Sequence, residues 1–327
     1  MPVEIQPEVT TLSVLGGANP DAYLPYLVDQ QASIAAQRCV GSSIVVCDPA
    51  LLGTIEQRIA PIWADSPASL DLVPARFTHA AEARNIARDR APTNLIAPVD
   101  VDDLFEHPTA SQPGGLDLMY LLRIKKGVDV LIGRPRDLIE LNGESQVHEP
   151  EHARFGKHAG KIITSEDVSK MDDDELPWWL GIVLAPKTMW KWPKQRVSED
   201  LDAMLGALVQ HYATAYISGP EDDPHYRYRV TTVGGVTNTT SATAREEARR
   251  ATTLKWRAKA EQRQVMLRHT APATANTLAS SALPTSENPL LFRSDKGHQK
   301  SEGPSTATAP PRNPMPKRPR DNPHRNW

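Results

Sequence analysis

The stretch SIVVCDPA, Ser43–Ala50, decides how the chain is read. Ile44, Val45 and Val46 make a β-branched run, which predicts a buried strand. Asp48 then stands where a helix N-cap belongs, and Pro49 takes the first helical position, where no backbone N–H is needed. Upstream, Asp21–Gln37 reads as a helix broken early by Pro25. Downstream, Leu70–Arg76 reads as a second strand, Thr78–Arg90 as a helix capped by Thr78, and Asn94–Ala97 as a short third strand. Strand and helix alternate, so the expected fold class is α/β, with a mixed α+β arrangement as the variant.

Further along, MYLLRI (Met119–Ile124) and VDVLIG (Val128–Gly133), joined by Lys125-Lys126-Gly127, read as a β-hairpin. Residues 142–160 are polar, rich in His and without periodicity, and read as an exposed loop. Ser198 opens the clearest helix: Leu201, Met204, Leu205, Leu208, Val209, Tyr212 and Tyr216 recur at spacings of three and four, which predicts one buried face. His225–Val233 reads as a strand with Tyr226 and Tyr228 on one side and Arg227 and Arg229 on the other. Thr243 and Glu246 match a capping box for a helix running to about Arg268. Its narrow apolar stripe is Ala244, Ala251, Leu254, Ala258 and Val265, so it is expected to be mostly solvated or to lie on a charged partner. Beyond Thr270 the chain turns to Ala, Pro, Ser and Thr, a composition that predicts disorder. The expected layout is an acidic globular body (1–240), a basic helix (241–269) and a disordered basic tail (270–327).

Charge supports that layout. The chain sums to -3, yet residues 241–327 carry sixteen Lys and Arg against seven Asp and Glu, a net of +9, which leaves -12 on the remainder. Opposite charge in the two parts suggests a folded body with an arm that seeks a polyanion. Two cysteines, Cys39 and Cys47, fit neither a redox pair nor a zinc knuckle, and suit a reducing compartment. No signal-type run opens the chain. The longest uncharged apolar stretch, Trp178–Pro186, is far short of the ~20 residues a membrane span needs. The expected location is intracellular, cytoplasmic or virion-associated, with no membrane contact.

Two motifs carry chemistry. His148-Glu149-Pro150-Glu151-His152 matches HExxH, and His158 stands at the third-ligand spacing of metzincin peptidases. Zinc hydrolysis would need His148 and His152 one helical turn apart with Glu149 as base. Pro150 opposes that helix, Phe155 stands where a glycine is expected, and an exposed loop is the simpler reading. The second motif, Trp190-Lys191-Trp192-Pro193-Lys194-Gln195-Arg196, interleaves indoles with cations as single-stranded nucleic-acid sites do. Tryptophans filling a core would give the same pattern, and that is the reading favoured for Trp178 and Trp179.

Arg227 and Arg229 could grip a phosphate track from one strand face. Arg245, Arg249, Arg250, Arg257, Lys259 and Arg263 line the basic helix, and Lys317-Arg318-Pro319-Arg320 has the form of a short nuclear-import signal. GxGxxG, P-loop, GxSxG and paired-cysteine motifs are absent, so no cofactor or metal is expected.

Ala, Pro and Ser make up about a quarter of the chain, in segments such as Ala271-Pro-Ala-Thr-Ala and Ser305-Thr-Ala-Thr-Ala-Pro-Pro, ahead of a basic extension. In composition and layout the chain resembles the proline-alanine-serine-rich proteins of polymycoviruses, which coat a double-stranded RNA genome. The resemblance implies a non-enzymatic, RNA-associated virion protein that self-associates through its body and binds nucleic acid without sequence preference. Zinc-dependent hydrolysis, or a scaffold whose tail recruits a partner, are the alternatives.

Overall fold

The structure is a computed structural model, and it describes residues 4–16, 20–141, 144–149, 158–170, 182–194, 198–211, 213–230 and 241–270. Residues Met1–Thr270 form one compact unit. The fold is mixed α/β, with two sheets.

The large sheet is built around β1 (Val9–Leu15), where the sequence predicts no strand because Thr10, Thr11 and Ser13 interrupt the apolar run. Those hydroxyls are fully buried, and each is bonded: Thr10 to Thr93, Thr11 to Ser43, Ser13 to Gln30. A buried strand tolerates polar side chains on those terms. β1 pairs parallel with β2 (Val40–Cys47) on one side and with β4 (Leu95–Pro98) on the other, while β3 (Ser69–Pro74) extends the sheet beyond β2. Side chains alternate along the strands. Leu12, Ile44 and Val46 therefore face one core with α3 (Ala80–Arg90), while Leu15, Val45 and Cys47 face another with α1 (Leu24–Ala35) and α2 (Leu52–Trp63). Asp48 caps the turn after β2 by accepting the Ala50 N–H at 2.9 Å, with Pro49 just inside, as the sequence predicts.

Beyond β4 the sheet continues through β10 (Val183–Pro186), antiparallel to its neighbours, then β6 (Val130–Ile132), β11 (Ala215–Ile217) and β9 (Ile162–Ile163). The full order is β3-β2-β1-β4-β10-β6-β11-β9. A smaller sheet, β5-β12-β7-β8, combines Leu104–Phe105, Tyr226–Val230, Pro135–Leu141 and Glu144–His148.

Three expectations are corrected. Residues 115–133 form no hairpin: Gly115–Lys126 is helix α4, which buries Leu116, Met119 and Tyr120 at helical spacing. Gly127 ends it at φ 63, the left-handed cap position that glycine favours. An antiparallel pair lies instead at β7–β8, and β8 falls in the stretch expected to be a loop. Tyr216 leaves the predicted helical face, since the helix Glu199–Gln210 ends before it and Tyr216 belongs to β11; Tyr212 lies outside the described residues.

The last helix, α7 (Ala242–Thr270), is capped by Ser241, whose Oγ accepts the Ala244 N–H at 3.1 Å. Its buried face is Thr252, Thr253, Trp256 and Ala260, whereas Leu254 and Val265 of the expected stripe are exposed. That face packs on α6 (Glu199–Gln210) and α5 (Ser165–Lys170). Gly206 makes the approach possible, because a Cβ there would meet the Trp256 ring at 3.2 Å. Trp256 Nε1 donates to Asp202 at 2.7 Å, and Lys255 bonds the same carboxylate. At the far end Arg263 donates to the last carbonyls of α6, Val209 and Gln210, where the helix dipole favours a cation. Trp256→Ala is expected to cost about 3–5 kcal/mol, the usual range for emptying a buried aromatic site. Urea unfolding followed by tryptophan fluorescence and circular dichroism checks this, and a loss under 1 kcal/mol (~1, within surface scatter) would contradict the packing.

Candidate active site

Connections from β1 run out through β2 and β3, then return across to β4 on the opposite side of β1. In open α/β sheets the crevice outside the carboxyl ends at such a switch point is where ligands bind. Here β4 ends in the turn Asp100-Val101-Asp102-Asp103, closed by the Asp103 N–H on the Asp100 carbonyl at 3.0 Å. Gln30, fully buried in α1, fixes the start of that turn by donating to the Val99 and Asp100 carbonyls at 3.1 and 2.7 Å. Asp100 is open to solvent. Burial, with Asp100 beside it, pushes Asp102 up to about 6. Burial and the charges of Asp102 and Asp100 likewise hold Asp103 well above the ordinary carboxylate range.

Arg84 of α3 sits against this turn with its side chain 9% exposed. Its guanidinium bonds Asp100 at 2.8 Å, Asp200 at 2.9 and 3.1 Å, and Glu199 at 3.2 Å. Burial alone would weaken its hold on the proton, but Asp200, Asp100 and Glu199 outweigh that and strengthen it. Glu199 and Asp200 begin α6, where carboxylates suit the helix N-terminus. Burial and then the charge of Asp200 push Glu199 up to about 7, and burial raises Asp200 too, with Arg84 opposing. One side chain thus joins the β4 turn to the first turn of α6, about a hundred residues apart in sequence.

The expected binding residues mostly serve this framework. Trp190 and Trp192 are 4% and 2% exposed and stack on each other at 4.8 Å with planes 6° apart, so no open ring face is left for a base. Trp192 Nε1 donates to Asp200 at 2.9 Å, and its backbone is held by Asn85 and that of Trp190 by Arg88. Lys191 is exposed, and Lys194 pairs with Glu82 at 3.8 Å. Arg227 bonds Glu106. Arg229 is buried between Asp29 and Glu140.

On α7, Arg257 pairs with Glu261, Lys259 lies over the Trp256 ring, and Arg263 meets the α6 carbonyls. Arg245 and Arg249 are half-buried and Arg250 exposed, and each has a partner. Arg196, Lys317, Arg318 and Arg320 lie outside the described residues, as do Trp178 and Trp179. His148 ends an exposed edge strand instead of opening a helix, and Glu149 is bonded to Arg134 and Arg136. His152 lies outside the described residues, and among those described no group of three or more His, Cys, Asp or Glu could hold a metal ion. The zinc-hydrolase alternative fails on this geometry.

No family profile and no curated protein matches the sequence. Solved structures similar to it are those of S. aureus TarS 1–349. The complex with UDP-GlcNAc is 14% identical with a TM-score of 0.49, over 72% of this chain and 62% of that one. The complex with UDP is 16% identical with a TM-score of 0.46, over 68% and 61%. The chain spans about 60% of the length of these TarS structures. The expected role as a self-associating coat protein of a polymycovirus, with RNA as partner, is corrected: among the described residues, Trp190 and Trp192 are buried against each other, and Arg229, Lys259 and Arg263 are tied into the fold instead of being presented to a polyanion. Among the described residues no helix is long and apolar enough to cross a membrane.

Sequence reasoning missed Arg84, Glu199, Asp200 and the aspartate turn. The available signal was a strand ending in three aspartates within four residues, Asp100–Asp103. Arg84→Met is expected to lower stability by roughly 3 kcal/mol, the low end for removing one member of a buried ion pair, because Asp100 and Asp200 keep contact with water. Chemical denaturation should show the deficit shrinking as the pH falls and the abandoned carboxylates take up protons; a deficit independent of pH would contradict the network.

Proposed function

We propose that the crevice binds a nucleotide diphosphate sugar and transfers the sugar to a hydroxyl group of an acceptor. The observation that supports this most is that Arg84 gathers at one switch point two sets of carboxylates with different chemistry: Asp100 with its turn, and the Glu199–Asp200 pair.

Around the sheet edge, the residues divide the ligand. Asp48 ends β2 on the exposed rim and offers a carboxylate acceptor to a base N–H. The diphosphate faces the aspartate turn. Acidic groups alone would repel it, and among the described residues no three acids are grouped to hold a metal ion by themselves, so a divalent cation would have to arrive with the diphosphate and be held by Asp100 and Asp102. Such a cation would neutralise the diphosphate and make it a better leaving group.

Proton transfer falls to the pair on α6. Asp200 is oriented by Arg84 and Trp192 and remains partly open to water, the arrangement of a positioned base. As the acceptor oxygen bonds to the anomeric carbon, the bond from that carbon to the diphosphate oxygen breaks. The hydroxyl proton passes to the Asp200 carboxylate, and the nucleoside diphosphate departs with the electron pair. Buried, reduced Cys39 and Cys47 and the need for nucleotide sugars both favour a cytoplasmic location.

UDP-GlcNAc, the ligand of one TarS structure, is the first donor to try. Asp200→Asn is expected to lower kcat about a hundredfold or more while leaving donor KM nearly unchanged. Because a protonated carboxylate cannot accept a proton, kcat should rise with pH along an acidic limb displaced above the ordinary carboxylate range, as burial raises Asp200. Glu199→Gln removes a like charge and should move that limb downward. An acidic limb in the ordinary carboxylate range, or full activity in Asp200→Asn, would refute the assignment.

A further inference from the structure

We propose that Arg229 is a positioning residue: it holds the aspartate turn from the side opposite Arg84 and so sets where the diphosphate is bound. This inference rests on the crevice being a nucleotide-sugar site.

Arg229 reaches the turn from the small sheet, on the last described strand before α7. Its side chain is 2% exposed. A guanidinium so far from water needs a reason, since a lone buried cation is costly. Its recorded partners are Asp29 of α1 at 3.1 Å and Glu140 of β7 at 3.3 Å, and it lies over the ring of Tyr26 at 4.3 Å. Its backbone N–H supports Asp103, and its charge also acts on Asp102. Tyr26 and Asp29 belong to the helix that follows β1, Glu140 to the small sheet, and Asp102 and Asp103 to the β4 turn. Arg229 therefore binds together the three segments that wall the crevice.

The bonding around it is incomplete. Nη1 of Arg229 and Oδ1 of Asp103 are buried without hydrogen-bond partners, while Nε meets Glu140 at 3.3 Å as an ion pair only. Most buried polar atoms are matched. An orphaned donor and an orphaned acceptor on adjoining residues describe a turn held by charge and left free to adjust when a ligand's own charge arrives. Arg84 acts differently, since it clamps Asp100 through direct bonds and shares that grip with the proton-accepting pair. Residues that orient ligand-binding groups in this way typically affect affinity or activity by about 10–100-fold.

The test uses the full chain and isothermal titration with UDP in the presence of manganese, followed by UDP-GlcNAc turnover. Arg229→Met is expected to weaken UDP binding and raise donor KM by about tenfold or more, with kcat changed much less, and Arg229→Lys to recover part of the loss. Arg257→Met, on the outer part of α7, should behave as the parent. Thermal unfolding and circular dichroism establish that each variant is folded; should Arg229→Met fail to fold, Arg229→Lys decides, and an unchanged UDP affinity and donor KM there overturns the inference. Parent and folded Arg229→Met binding UDP equally well would overturn it alone. A parent chain that binds neither UDP nor UDP-GlcNAc would overturn the reading of the crevice, and this inference with it.

Discussion

A buried guanidinium needs negative charge within bonding reach, and Arg84 finds it in carboxylates from two distant parts of the chain. That requirement couples the end of β4 to the start of α6, and so couples the parallel half of the large sheet to the half beyond β10. The Trp190–Trp192 stack lies in the same linkage, because Trp192 bonds Asp200 while Asn85 and Arg88, neighbours of Arg84 on α3, hold the backbone of both indoles. Packing and electrostatics are thus one structure here: both indoles are buried in the core that α3 and α6 share, and the polar edge of Trp192 fixes Asp200.

Reading charge along the chain misplaced the function because linear counts ignore where the partners lie. Among the described residues, the cations of α7 and the acids before them do not stand apart as two opposed fields. Asp202 of α6 takes Lys255 and Trp256, the carbonyl end of α6 takes Arg263, and Lys259 covers an indole ring. Much of the basic helix is neutralised within its own fold. Its length and charge were legible; its buried face was not, because Thr252, Thr253 and Ala260 look polar or small, and only Gly206 on another helix makes room for Trp256.

Elsewhere legibility followed how far each signal was local. β2, the Asp48 cap, α3 and α6 were readable because run, cap and period lie within a few residues. β1 was not, since its buried hydroxyls are satisfied by Ser43, Gln30 and Thr93, partners far away in sequence. α4 was mistaken for a strand because Tyr120, Leu121, Leu122 and Ile124 suit either state. Its three-and-four spacing and the left-handed Gly127 decide for the helix. The candidate site was nearly invisible, as four of its members become neighbours only when α3, β4 and α6 are assembled.

Gathering so many acids at the edge where an anionic ligand is to bind looks self-defeating until the counter-charges are considered. Asp100 and Asp102 lie within reach of two guanidinium groups of opposite origin, Arg84 on the large-sheet side and Arg229 on the small-sheet side. Neither arginine is free to leave, because each is buried and bound by further acids. The turn is therefore stable without a ligand yet short of positive charge, as the raised Asp102 and Asp103 show. A cation arriving with a diphosphate would supply that charge, which is how an acidic turn could serve an anionic ligand.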